Sequence, residues 1–279
     1  MKHRELTVNG IGGLQLYAQA WLPDRSPSAV IVVSHGLGEH SSRYRELAGR
    51  LVADGRAVYA IDHRGHGRSG GPRGNVERFA HVVSDFCTFA GRASREHPDA
   101  PVFLFGHSMG GAVAFASAAR LQTKLRGLVL SAPALAAGDA VPLLKLAMVR
   151  LLSLAAPNTG ALQLPAAAVS RDPAVVREYE SDPLVLHDAV PARTLVELLQ
   201  AMEEFPQQAV QLRLPVLIQH GTADSLVPLA AARNVYQAIA AKDRIIKLYE
   251  GLYHEIYNEP ERERVIADLL AWLAVRAAH

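Results

Sequence analysis

The chain has 279 residues, a formal net charge of +2 and an apolar fraction of 49%. That suits one large domain, or one domain with a substantial insertion, and a core that needs no disulfide or metal staples. Lysines and arginines are scattered rather than blocked, so nucleic-acid binding is not expected. The single cysteine, Cys87, excludes an intramolecular disulfide, fits a reducing compartment, and lies on a helical pattern that suits a packed residue.

The first ten residues, MKHRELTVNG, are charged and contain no apolar signal-peptide core. No run reaches the ~18 apolar residues of a bilayer span. A cytoplasmic location is expected, with association at a membrane surface left open. Two alternating runs, ELTV and LQLYAQAWL, predict an antiparallel pair joined by a turn at Gly10 to Gly13.

Continuous apolar runs follow: AVIVVSHG, AVYAID, VFLFGHS, GLVLSAP, PVLIQHG and IIKLYE. Lacking alternation, they suit strands buried on both faces. Helical patterns lie between most of them. Tyr44, Leu47 and Leu51 share one face, as do Val265, Leu269 and Trp272 with Ile266 and Leu273. Asn258, Glu259 and Pro260 signal the start of the last helix. Strands alternating with helices predict an α/β fold with a mostly parallel central sheet flanked by helices.

Between SAP (131–133) and LRLPVLIQHG (212–221) this rhythm breaks into helical segments and prolines without a clear strand. A structureless loop of that length is improbable in a compact domain. An inserted helical cap over residues 137–207 is expected, leaving 1–136 and 208–279 as the core.

The run FLFGHSMGGAVAF, residues 103–115, carries the chemistry. It reads as strand, sharp turn and helix, with G-x-S-x-G (Gly106, His107, Ser108, Met109, Gly110) in the turn. Glycines let strand and helix approach closely and hold Ser108 at the tip, strained, with its hydroxyl above the sheet. A serine hydroxyl needs a base, and the base needs an orienting acid. His254, in GLYHEIYNEP after the IIKLYE run, is best placed to be the base. Asp224, in HGTADSLVP, is the acid candidate, with a turn aspartate as the plainer reading. The order is then Ser, Asp, His. His35, His107 and His220 also border strand ends and read as packing or loop-shaping residues. The backbone N–H groups of Met109 and Leu37, the latter in HGLGEH, are the candidate oxyanion donors.

GHGRSG, residues 65–70, matches G-x-G-x-x-G but runs into GPRGNV instead of a helix, so a dinucleotide site is not expected. This chemistry calls for no metal and no organic cofactor.

Together HGLGEHSSRY, DHRGHGRSGG, GHSMGG, SAP, SRDP, YESDPL, HGTAD and GLYHEIYNEP resemble the monoacylglycerol lipases of the α/β-hydrolase superfamily, from about residue 30 to 260. GHSMGG is shared by many hydrolases; HGLGEH with SRY and the SDPL of the cap is more specific. The resemblance implies an α/β-hydrolase fold with an inserted cap, and a serine hydrolase cleaving monoacylglycerol, or a similar lipid ester, to glycerol and fatty acid. It implies Ser108, Asp224 and His254 as the triad and Leu37 and Met109 as the oxyanion hole. It also implies that Glu39 and Arg43, with Tyr179 of the cap nearby, line a polar pocket for the glycerol head. The plainer alternative for Glu39 and Arg43 is an ion pair at the start of a helix. Other readings on the same scaffold are a lysophospholipase or a broad carboxylesterase; one from another class is a ligand-binding protein without turnover.

The cap segment VPLLKLAMVRLLSLAAP, residues 141–157, places Lys145, Arg150 and Ser153 within one arc of a helix that is otherwise apolar. Such a face suits burial inside the cap or contact with lipid, with the cations toward headgroups. The family docks on membranes through its cap, so the resemblance implies peripheral membrane contact there.

Overall fold

The computed structural model describes residues 1–136 and 143–278. Residue 137, where the cap is expected to begin, Val141 and Pro142 lie outside the described residues, as does the side chain of Lys145. The strands are β1 (Lys2–Asn9), β2 (Gln15–Leu22), β3 (Val30–Ser34), β4 (Ala57–Ile61), β5 (Val102–His107), β6 (Gly127–Ser131), β7 (Gly160–Leu162), β8 (Val190–Pro191), β9 (Val216–Gly221) and β10 (Arg244–Tyr249). The helices are α1 (Arg45–Ala53), α2 (Phe79–Glu96), α3 (Met109–Leu121), α4 (Leu143–Ala155), α5 (Pro173–Ser181), α6 (Ala192–Ala209), α7 (Leu229–Ala238) and α8 (Arg262–Ala277).

Eight strands form one sheet in the order β1-β2-β4-β3-β5-β6-β9-β10. β1 pairs antiparallel with β2, and β2 with β4; every other pairing in this sheet is parallel. The expected hairpin and all six expected strands are present; β10 is the sheet's edge strand and only partly buried, whereas the other five are buried throughout. Their unbroken apolar runs follow from burial on both faces. Val30 and Val32 face one core with Phe86 of α2, Phe115 of α3 and Phe205 of α6. Ile31 and Val33 face the other with Leu47 and Leu51 of α1 and Leu269 and Trp272 of α8. Trp272 packs edge-on against Phe103 of β5, ring centroids 5.9 Å apart. Fully burying a side chain of the Leu or Phe kind contributes about 1.5–3 kcal/mol.

Two details depart from expectation. The last helix starts at Arg262, because Glu259 turns inward and is fully buried. The insertion between β6 and β9 also contains a short antiparallel pair, β7–β8. Strands of two or three residues, one containing Pro191, leave no periodic trace. α6 packs against α4 and also against α2, α3 and α7, which ties the insertion to the core. The Gly65–Gly70 stretch remains irregular, and the next helix begins only at Phe79.

Candidate active site

β5 ends at His107, and the chain turns at Ser108 with φ 53° and ψ −121° before α3 begins. Serine rarely adopts positive φ, and such strain costs about 1–3 kcal/mol. The surroundings enforce it. A Cβ on Gly106 would lie 2.2 Å from Gly110 O, and one on Gly110 would lie 2.1 Å from Ser34 O. Glycine alone lets α3 start this close to the ends of β3 and β5. Ser108 N–H donates to Ser131 O at 3.0 Å, and Ser108 O accepts from the N–H groups of Gly111, Ala112 and Ala134. The backbone is held on several sides while Ser108 lines a cavity of about 230 Å³.

Asp224 follows β9, and His254 lies in the loop between β10 and α8. Asp224 Oδ2 is 2.7 Å from His254 Nδ1. Its other oxygen, Oδ1, accepts from the N–H groups of Leu226 (2.9 Å) and Val227 (3.0 Å). Asp224 thus shapes its turn through one oxygen and contacts His254 through the other. His220 Nε2 approaches Oδ2 at 3.3 Å and Val227 O at 3.2 Å. Burial alone would raise the Asp224 carboxyl, but hydrogen bonds from His220, His254 and the Val227 backbone hold it well below the usual carboxylate range.

With Nδ1 engaged by Asp224, His254 has Nε2 left for the cavity, which both His254 and Ser108 line. No hydrogen bond joins the Ser108 hydroxyl to His254. Such contacts commonly tighten only when substrate binds. His107 packs against His254, ring centroids 4.6 Å apart, and burial pushes its imidazole well below the usual range, with the His254 ring adding to the effect. Leu37 and Met109 also line the cavity, and neither backbone N–H has an acceptor among the described residues.

Glu39 and Tyr179 line this cavity; Arg43 lines a smaller one of about 20 Å³ beside it, with Glu39, His107 and Glu255. Arg43 Nε is 3.6 Å from Glu39 Oε2, Nη2 is 2.6 Å from Glu255 Oε2, and the guanidinium lies 4.7 Å from the centre of the Tyr179 ring. The helix-start ion pair therefore exists but belongs to a larger cluster. Burial raises the Glu255 carboxyl above its usual range despite the opposing pull of Arg43, and the Glu39 charge adds to the rise. Burial, reinforced by Glu255 and Glu39, pushes the Tyr179 phenol up to about 12.

Sequence reasoning missed Glu255 and Glu259. Glu255 N–H donates to Val169 O of the insertion at 2.8 Å. Glu259 accepts from the N–H of Tyr253 and from both the N–H and Nε of Arg171. Both glutamates thus tie the His254 loop to the insertion. The one available signal was acidic residues crowded beside His254, where a helix-start signature competed for Glu259.

The family model described as serine aminopeptidase, S33, matches residues 25–261. A monoacylglycerol lipase of Mycolicibacterium smegmatis is 42% identical over 269 residues, covering 96% of each chain. The human monoglyceride lipase is 35% identical over 95% of this chain and 89% of its own. The crystal structure of the Paleococcus ferrophilus monoacylglycerol lipase superposes with a TM-score of 0.82 at 32% identity, covering 94% of this chain and 99% of that one. A parallel sheet entered by an antiparallel hairpin, a serine at a strained strand-to-helix turn and full-length similarity to these enzymes lead to one assignment: the chain belongs to the serine aminopeptidase S33 family and, within it, to the monoacylglycerol lipases of the α/β-hydrolase superfamily.

Proposed function

We propose that this protein hydrolyses monoacylglycerols to glycerol and free fatty acid through an acyl-enzyme on Ser108. The Ser108 oxygen attacks the ester carbonyl while its proton passes to His254 Nε2. Negative charge develops on the carbonyl oxygen and is met by the N–H groups of Leu37 and Met109. The tetrahedral intermediate collapses, the C–O bond to glycerol breaks, and His254 returns the proton to the departing alkoxide. Water, deprotonated by the same imidazole, then attacks the acyl-enzyme; the acyl C–O bond to Ser108 breaks, the imidazolium returns its proton to the Ser108 oxygen, and the fatty acid leaves. Asp224 keeps the proton of neutral His254 on Nδ1 and stabilises the imidazolium that forms in each half-reaction.

The observation that carries this reading is the 2.7 Å contact between Asp224 and His254, made beside a cavity that the strained Ser108 also lines. The cavity suits the substrate. Leu195, Leu198, Leu199 and Met202 present one face of α6 to it, an apolar wall for an acyl chain. Glu39, Tyr179 and Glu255 give it polar groups that match a glycerol head. The test is release of fatty acid from 1-monooleoylglycerol by the wild type and by Ser108→Ala, beside lysophosphatidylcholine and p-nitrophenyl butyrate. Preference for the monoacylglycerol, lost in Ser108→Ala, supports the reading; preference for lysophospholipid moves the chain to a different esterase activity. An intact, folded protein that a fluorophosphonate probe leaves unlabelled is a binding protein, not an enzyme.

The reading includes peripheral membrane contact through α4. Met148, Leu151 and Leu154 are 63%, 68% and 77% exposed, while Ser153 turns inward and Arg150 pairs with Glu203 on α6. An apolar outer face flanked by an exposed arginine is what lipid contact favours. No helix among the described residues is long and apolar enough to cross a membrane. Co-sedimentation with liposomes, lost in Leu151→Ser/Leu154→Ser, tests the contact.

A further inference from the structure

The geometry points to His35 as a positioning residue: it holds the Gly36–Leu37 peptide so that the Leu37 N–H faces the reacting carbonyl. This rests on the reading of Leu37 as an oxyanion donor. His35 immediately follows β3 and is fully buried. Its Nε2 is 2.9 Å from the backbone N of His63, just past β4. A backbone amide can only donate, so Nε2 must offer its lone pair and the ring proton resides on Nδ1. Nδ1 is 2.7 Å from Gly36 O and donates to it.

In a trans peptide the carbonyl and the following N–H point in opposite directions within one plane. Holding Gly36 O therefore aims the Leu37 N–H. The preceding peptide is gripped too: Gly36 N–H donates to Glu39 Oε1 at 2.5 Å, and Tyr44 Oη donates to the same oxygen at 2.7 Å. The held peptide is close to the nucleophile, since a Cβ on Gly36 would lie 3.2 Å from Ser108 Cβ. A restraint is needed because Gly36 and Gly38, the latter at φ +80°, bracket the donor and permit a peptide flip. After a flip a carbonyl oxygen would face the oxyanion instead of a donor. Burial also pushes the His35 imidazole down to about 4, so the neutral ring persists at neutral pH.

Two measurements test this. In wild-type protein with ¹⁵N-labelled histidine, His35 is expected as the Nδ1–H tautomer; an Nε2–H tautomer overturns the proposal. In kinetics, His35→Phe removes both ring nitrogens, whereas His35→Asn places an amide N–H where Nδ1 stands. Losing an oxyanion donor costs about 10²–10³ in rate. His35→Phe is expected to lower kcat on p-nitrophenyl butyrate by about 10–100-fold with KM nearly unchanged, because only part of that donor's effect is lost. His35→Asn recovers part of the loss. Affinity for a trifluoromethyl ketone, whose adduct carries the oxyanion, falls by the same factor, while affinity for a monoalkylglycerol ether does not change. Folded variants with wild-type kcat and ketone affinity overturn the role of His35. If instead Ser108→Ala retains turnover, or the wild type is not labelled by fluorophosphonate, the reading of the site itself fails.

Discussion

Arg43 donates to the carboxylate of Glu255 across 2.6 Å, and Glu255 is the residue directly after His254. The same guanidinium approaches Glu39, whose carboxylate receives the Gly36 N–H. One cation thus stands between the loop carrying the proposed oxyanion donor and the loop carrying the proposed base. Arg43→Met leaves two buried carboxylates facing each other. Breaking a buried pair costs about 3–5 kcal/mol. A lower midpoint in urea and a drop in kcat of tenfold or more are expected. Unchanged stability and turnover would show that the cluster does no positioning.

Asp224→Asn is expected to reduce kcat by about 10⁴ while leaving the fold intact, because the amide no longer selects the His254 tautomer. Steady-state kinetics on a soluble ester measures this. A loss below tenfold would argue that Asp224 shapes its turn through Oδ1 and contributes little through Oδ2.

The strain at Ser108 predicts a gain in stability when it is relieved. Ser108→Gly accommodates φ 53° without a Cβ, offsetting about 1–3 kcal/mol of strain against roughly 0.5–1 kcal/mol of chain entropy. Calorimetry is expected to place Ser108→Gly at or above Ser108→Ala in Tm, both inactive. A Tm well below that of Ser108→Ala would mean that the turn is not strained by its side chain.

Stability should decline in mild acid. Burial pushes His35 down from 6.5 to about 4 and His66 down to about 3. The unfolded chain therefore binds protons on these rings below pH 6.5 while the folded chain does not. Their contribution is complete above about pH 6.5 and shrinks by about 1.4 kcal/mol per ring for each pH unit below it. For His35 the shrinkage ends as the folded ring itself titrates near pH 4. Denaturant midpoints measured from pH 7 to 4.5 should fall steadily; a flat profile would contradict the burial of neutral rings.

Much of this molecule was legible in the chain. Five of the six parallel strands announce themselves because burial on both faces demands unbroken apolar runs; β10, at the sheet edge and partly buried, shows a run interrupted by Lys247. The turn at Ser108 does so because Gly106 and Gly110 are the residues that fit between β5, β3 and α3. The order of Ser108, Asp224 and His254 follows from which loops leave the same rim of the sheet. What stayed hidden depends on contacts between distant positions. Arg43 and Glu255 are 212 residues apart, and His35 meets the His63 backbone through a register that only the folded sheet creates. The α4 helix is ambiguous for a related reason. Its periodicity suits burial or lipid contact equally; packing on α6 sets the orientation and turns Ser153 inward while Met148, Leu151 and Leu154 face out.

The most direct test is a single-turnover reaction with 1-monooleoylglycerol, quenched in acid and analysed by mass spectrometry. The account predicts a transient oleoyl adduct on Ser108, glycerol released with its formation, and no adduct or fatty acid with Ser108→Ala. Turnover that persists without the Ser108 hydroxyl, or an acyl group found on any other residue, would contradict it.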